Sequence, residues 1–171
     1  MAMTIDGNGS ITGLVAGGLP DATITQPELA SGVSGTGPAF SAYQSSAQTI
    51  SSATFTKILF QTEEFDTNNN FASSRFTPTV AGYYQVSGGF TNISITPNEE
   101  VIVALAKNGA VIKYLQDTVQ GSVSRSAYGS GLIFLNGSTD YVELFAFIGF
   151  GGTLVAISIN TWFTGCLVRG A

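Results

Sequence analysis

FTPTVAGYYQVSGGF, residues 76–90, holds the strongest clue to the fold. Pro78 has no backbone N–H to give a sheet ladder, so a strand through this stretch starts after it. Gly82 relieves crowding where that strand begins. Side chains alternate across a strand, so Tyr84, Val86 and Gly88 share one face and Tyr83, Gln85 and Ser87 the other. Bulky residues on both faces predict a sandwich core on one side and a subunit neighbour on the other.

The pattern repeats outward. From Pro38 on, runs of Val, Ile, Thr, Phe and Tyr are bounded by Gly/Asn/Asp/Pro clusters at the roughly 8–12-residue spacing of a sandwich or barrel. The expected strands cover 39–44, 54–61, 82–92, 101–107, 110–116, 122–135, 139–148 and 157–168. In LAKNGAVIKYL (105–115), Asn108-Gly109 suits a type I′ hairpin turn, where both central residues need positive φ. No stretch of sufficient length keeps a helical period, so the fold class is all-β.

Composition narrows the function. Charged residues are 10% of the 171, against about 25% in an average soluble domain, while hydrophobic residues reach 44%. So few charges cannot cover a monomer, which predicts a surface of small polar residues that other subunits partly hide. The net charge is −5 with no histidine, and Lys57, Arg75, Lys107, Lys113, Arg125 and Arg169 are scattered. Nucleic acid is therefore excluded as a partner, and anionic membranes are disfavoured. The greasiest segment, FAFIGFGGTLVAISI (145–159), is broken by glycines and falls short of the roughly 18 apolar residues a spanning helix needs, so no membrane insertion is expected. The single cysteine, Cys166, excludes an internal disulfide and reads as a buried thiol in an apolar run. The opening MAMTIDGNGS lacks a signal-peptide pattern, so synthesis in a cytoplasm without export by that route is expected.

Residues 1–37 differ from the rest. GLPDATITQPELASG (18–32) is rich in small polar residues, and no aromatic residue precedes Pro38. Such a segment cannot build its own core and reads as an extended arm, with a short helical turn possible at QPELA. The expected domains are thus the arm, 1–37, and a head, 38–171.

The head resembles the globular domain of the complement C1q and tumour necrosis factor family. The resemblance rests on Phe60, Asp66, Phe71, Phe76, Gly82 and Tyr84 at that family's spacing. It departs in a shortened gap between Phe71 and Phe76, and in Val86 where the family has Phe. Further pieces follow in family order: VALAKNG (103–109) with Asn108 and Gly109, LNGSTDYVEL (135–144), and WFTGCL (162–167) with Gly165. The resemblance implies a ten-stranded jelly roll that assembles as a homotrimer about a three-fold axis. The arm, with TIDGNGSITGL (4–14), resembles short repeats in fibre and other structural proteins of tailed bacteriophages.

Chemistry is sparse. Without histidine no Ser-His-Asp or Cys-His site can exist. Glu63, Glu64 and Asp66 form one carboxylate group and Asp140 with Glu143 another; both read as solvated strand ends, although glycoside cleavage needs only two carboxylates roughly 5–10 Å apart. Asp66, Asn68 and Asn70 alternate like the opening of a calcium loop, but Phe71 and Thr77 stand where Gly and Glu belong, so an ordinary polar turn is expected and no metal or cofactor. Tyr84, Phe90, Tyr141, Phe145, Phe147, Trp162 and Phe163 are assigned to core and trimer contacts. In the Gly/Ser-rich stretches 120–131 and 148–153, Ser124, Arg125, Tyr128, Phe150 and Thr153 are candidate receptor-contact residues, or parts of tight connections. The expectation is a non-enzymatic phage virion protein, on the tail or the capsid surface. It is a homotrimeric tail fibre or receptor-binding tip that grips host-surface glycan or protein, with residues 1–37 bound to other virion proteins. The alternative is a capsid decoration protein, since the chain has no long shaft, and a polysaccharide-degrading enzyme is a distant third.

Overall fold

A computed structural model describes residues 4–5, 11–12, 37–93, 97–120 and 125–171. The chain divides into two compact units, Met1–Ala30 and Ser31–Ala171. The first carries a short antiparallel pair, β1 (Thr4–Ile5) and β2 (Ile11–Thr12), with Thr4 opposite Thr12. The QPELA turn lies outside the described residues.

The second unit is all-β, two antiparallel sheets packed face to face. The seven-stranded sheet contains β3 (Ala39–Tyr43), β4 (Gln48–Ile50), β6 (Thr62–Asp66), β9 (Ala81–Asn92), β12 (Arg125–Asn136), β14 (Gly152–Leu154) and β15 (Trp162–Gly170). The six-stranded sheet contains β5 (Thr56–Lys57), β7 (Phe71–Ala72), β8 (Arg75–Phe76), β10 (Glu99–Lys107), β11 (Ala110–Gln120) and β13 (Val142–Ile148). β9 is central to the first sheet: β12 pairs with it along its whole length on one edge, while β15 and β14 pair with it on the other. In the second sheet β10 lies between β11 and β13.

The opening stretch behaves as its residues demand. β9 begins at Ala81, past Pro78. Tyr84, Val86 and Phe90 are fully buried, while Tyr83 remains 43% exposed on the other face. The core is aromatic: the Phe40 ring lies 4.4 Å from Phe76, 4.9 Å from Phe71 and 4.9 Å from Phe163, drawing both sheets onto one cluster. A Cβ at Gly165 would sit 2.8 Å from Val86 and 2.9 Å from Phe40, so only glycine lets that ring pass. The Tyr84 hydroxyl donates to Val80 O at 2.7 Å, and burial pushes its pKa up to about 12. The resembling residues Phe60, Phe71, Phe76 and Tyr84 all belong to this core.

Asn108 and Gly109 adopt φ of 54° and 81°, the I′ geometry, joining Lys107 to its partner Ala110. The jelly roll has more strands than the ten expected, because several are only two or three residues long. Composition does not mark a strand as short as β5, β7 or β8, which pairing to a neighbour alone defines. The strand expected over 157–168 begins only at Trp162, because residues 155–161 turn on themselves, with Asn160 N and Thr161 N both donating to Ile157 O. Cys166 is exposed, contrary to expectation: Phe163, Gly165 and Leu167 take the inward positions of β15, and alternation turns the thiol outward.

Candidate interaction surfaces

Strand register builds the outer face of the seven-stranded sheet row by row, since directly opposed residues point the same way. One row runs Phe134, Tyr83, Arg169; the next Leu132, Gln85, Cys166, Ala39. A third is Ser130, Ser87, Thr164, Ser41 and Phe65, and a fourth Tyr128, Gly89, Trp162 and Tyr43. Small polar side chains thus separate two aromatic groups. Tyr83 packs against Phe134 with ring centroids 5.4 Å apart, and Tyr128 stacks on Trp162 at 6.0 Å. Tyr128 lies across Gly89, where any Cβ would collide with its ring and with Ala127 O. Its hydroxyl hydrogen-bonds the Thr91 hydroxyl and donates to Asn160 O, both at 2.8 Å. Phe65, Tyr83, Leu132, Phe134 and Val168 on this sheet are each 41–50% exposed, an apolar surface that the described residues leave open.

The outer face of the six-stranded sheet is arranged differently. Its central outward positions are Ile102, Ala104 and Ala106, opposite Phe147, Phe145 and Glu143 on β13. All three are buried although they point away from the core. Phe55, before β5, supplies cover: its ring lies 5.2 Å from Phe147 and 5.6 Å from Tyr114, which stands opposite Ala104. Next to this cluster, Glu143 is held by Lys57 at 3.0 Å and approached by Arg75 at 3.7 Å, and the Arg75 guanidinium lies over Tyr141.

The two ends also contrast. Where β9 starts and β10 ends, Lys107 contacts Asp140 at 2.7 Å and Asn108 donates to the other Asp140 oxygen at 2.8 Å. The Lys107 ammonium and then the Asn108 amide hold the Asp140 carboxyl below its ordinary pKa. Asn136 closes this end by accepting N–H bonds from Ser138, Thr139 and Asp140. Both edges of the described head meet here, with Leu167 N donating to Pro38 O and Ala171 N to Ala81 O. At the opposite end, large apolar side chains stand free: Ile93 at 57%, Val119 at 65%, Phe150 at 63%, Ile157 at 52% and Ile159 at 79% exposure.

The assigned aromatic residues divide between these places. Tyr84, Phe90 and Phe163 are core. Trp162 is half-buried on the outer face of the first sheet, while Phe145, Phe147 and Tyr141 are half-buried on the second. Among the receptor-contact candidates Phe150 is on the apolar end, but Tyr128 and Thr153 are strand residues and not loop residues, and Ser124 lies outside the described residues. The Gly/Ser-rich stretch was misleading because Gly129 and Gly131 are strand positions where β11 packs close, a Cβ at Gly129 falling 2.6 Å from Leu115.

Asp66 accepts Phe71 N at 2.6 Å and Asn68 N at 3.4 Å, while Asn70 donates to Asn68 O and accepts Thr79 N. The three residues therefore knit a turn, with each side-chain oxygen accepting a hydrogen bond within the protein, Asn68 Oδ1 from the Thr67 hydroxyl. Asp140 and Glu143 are each committed to separate cations, and Glu64 accepts the Ser41 hydroxyl at 2.7 Å. Tyr43, Phe55, Phe65 and Leu132 were missed by sequence reasoning. Strand parity from Phe40 would have turned Tyr43 outward, but nothing in the sequence places Phe55 over Phe147.

No family model matches the chain, and no curated protein does. Solved structures do. The globular domain of zebrafish complement 1qA is similar with a TM-score of 0.60 and 19% identity, covering 78% of this chain and 99% of its own. Murine APRIL gives 0.56 and 13%, covering 77% of this chain and 98% of its own. Eiger TNF from S. frugiperda gives 0.54 and 8%, with 78% and 93% covered. The head has the complement C1q/tumour necrosis factor-like jelly-roll fold.

Proposed function

We propose that the chain is a non-enzymatic, homotrimeric virion protein of a bacteriophage whose head mediates host attachment. The observation that carries the assembly is the outer face of the seven-stranded sheet, where Tyr83, Phe134, Leu132 and Phe65 lie open at paired strand positions and Val168, at the bulge of β15, is open as well. A standard interface removes about 800 Å² per partner from water, and packing three such faces about an axis would cover these rows. The shortage of charge, 10% of residues, supports the same reading. The virion setting is supported by the arm sequence, TIDGNGSITGL and GLPDATITQPELASG, and its docking role for residues 1–37 follows from that likeness. Three heads on one trimer would act together, so each contact with the host can be weak.

Cys166 offers a direct test of assembly, because it is the only cysteine and lies in the row with Leu132 and Gln85. In the trimer, a maleimide reagent should label it slowly, and rapidly once the trimer is dissociated by dilution. A full chain that sediments as a stable monomer with a freely reactive Cys166 defeats the reading. For the setting, particles labelled with gold-tagged antibody against 38–171 should show label at the tail or its fibres. Label over the capsid would instead assign the protein to decoration of the shell.

A further inference from the structure

The apolar end of the head has no role in the core or in the outer-face rows. We propose that it docks peripherally on the interface of an electrically neutral lipid surface, with Ile93, Val119, Phe150, Ile157 and Ile159 as the inserting side chains. Hydrogen bonds gather these residues at one end. Ile93 N donates to Thr153 O and Val155 N to Thr91 O, tying the segment 149–161 to the end of β9. Gly149 N donates to Glu100 O, and Glu100 stands opposite Val119, which brings Phe150 beside β10 and β11. Tyr128 receives the far side of the segment through Asn160 O.

Three features select lipid over other occupants. First, the segment 149–161 has no charged residue, and the charges on the strands beside it are few and mixed in sign, Glu100 and Asp117 on β10 and β11 and Arg125 at the start of β12 opposite Asn92. That favours an uncharged surface over a strongly charged one. Second, the N–H groups of residues 149, 150, 151, 155, 157, 160 and 161 are already bonded within the protein, Phe150 N to Glu99 Oε1 at 2.8 Å. An interfacial position favours bonded backbone donors, since each one left open would have to be desolvated. Third, the exposed groups are four aliphatic side chains and one phenyl, three of them on the segment 149–161 and the others, Ile93 and Val119, on neighbouring strand ends. Protein hot spots favour Trp, Tyr and Arg seated in pockets, but the apolar side of an interfacial lipid-binding element is built from such groups. No spanning segment is involved, since among the described residues no helix is long and apolar enough to cross a membrane.

The inference deepens the attachment reading by naming a partner for the distal end, but a vesicle measurement on the purified full chain stands or falls without reference to any particle. Flotation with phosphatidylcholine vesicles should carry the protein upward. Adding phosphatidylglycerol should not strengthen binding, and neither should lowering the salt. Ile159→Asp with Phe150→Asp should reduce the floated fraction about tenfold or more, since each change replaces buried apolar area by a charge. Ser138→Asp, on the polar end, should leave it unchanged. Circular dichroism and sedimentation of each variant separate loss of docking from loss of fold. The proposal is overturned by no flotation, by flotation that requires phosphatidylglycerol and vanishes in salt, or by flotation indifferent to the double change. Crosslinking from Ile159→Cys to a host-surface protein, with no flotation, would replace lipid by protein as the partner.

Discussion

The two outer faces of the jelly roll solve the same problem in opposite ways. The six-stranded sheet places Ala104 and Ala106 on its outside, buried beside the Phe55, Tyr114 and Phe147 rings, so the chain shields the centre of that face by itself and leaves Tyr114 half exposed at its rim. The seven-stranded sheet places Tyr83, Phe134, Leu132 and Val168 on its outside, and the described residues leave them open. Apolar area left in water at this density is a cost in the isolated protomer and a driving force for association. On the proposed reading the first face belongs to folding and the second to assembly, although both are strands of similar composition.

Substitutions can separate the two. The reference is Phe40→Ala, between the sheets, which should lower unfolding free energy by about 3–5 kcal/mol in guanidinium titration, because Phe40 touches Phe71, Phe76 and Phe163 at once. Leu132→Asp on the open face should weaken self-association by about a hundredfold in sedimentation equilibrium, roughly 2.7 kcal/mol, with the circular dichroism of the head retained. If instead it unfolds the protomer and leaves association intact, the contrast between the faces is wrong. Phe55→Ala should cost about 2 kcal/mol of protomer stability, less than a fully buried ring, and leave the oligomer unchanged. A change of oligomer without loss of stability would mean that Phe55 serves an interface.

The smallest effect is at the polar end. The pKa of Asp140 is lowered in the folded head, chiefly by Lys107 and then Asn108, so its carboxylate stabilises the fold above the unfolded carboxyl pKa. That contribution is lost as pH falls through the lower folded value. The melting temperature of Asp140→Asn should therefore lie below the wild type near neutral pH, and the gap should close in acid. A gap that persists below the lowered value would assign it to the Asn108 and Asn136 hydrogen bonds alone.

Much of the architecture was legible because the relevant signals are local. Pro78 and Gly82 set where β9 starts, Asn108-Gly109 set the hairpin, and the alternation of Tyr83 and Tyr84 announced two occupied faces. The short strands and the surfaces were not legible, for physical reasons that recur. A two-residue strand exists only through its partner, as Arg75–Phe76 does through Phe71–Ala72 and Val142. Glycine and serine read as loop, yet at Gly89, Gly129 and Gly131 they allow side chains and strands to approach. Cys166 sat in an apolar run, but one residue of strand parity put it outside.

By itself, the sequence determined that this chain is all-β and short of charge, while its likeness to the complement C1q and tumour necrosis factor heads implied the jelly roll. The first two follow from period, turn chemistry and composition, which act within a few residues or over the whole chain. Only the tertiary structure decided which aromatic residues became core, which cover and which open surface. Phe147, Trp162 and Phe163 have the same chemistry, and their fates diverge through strand register and what lies across the sheet, contacts made between residues far apart in the chain.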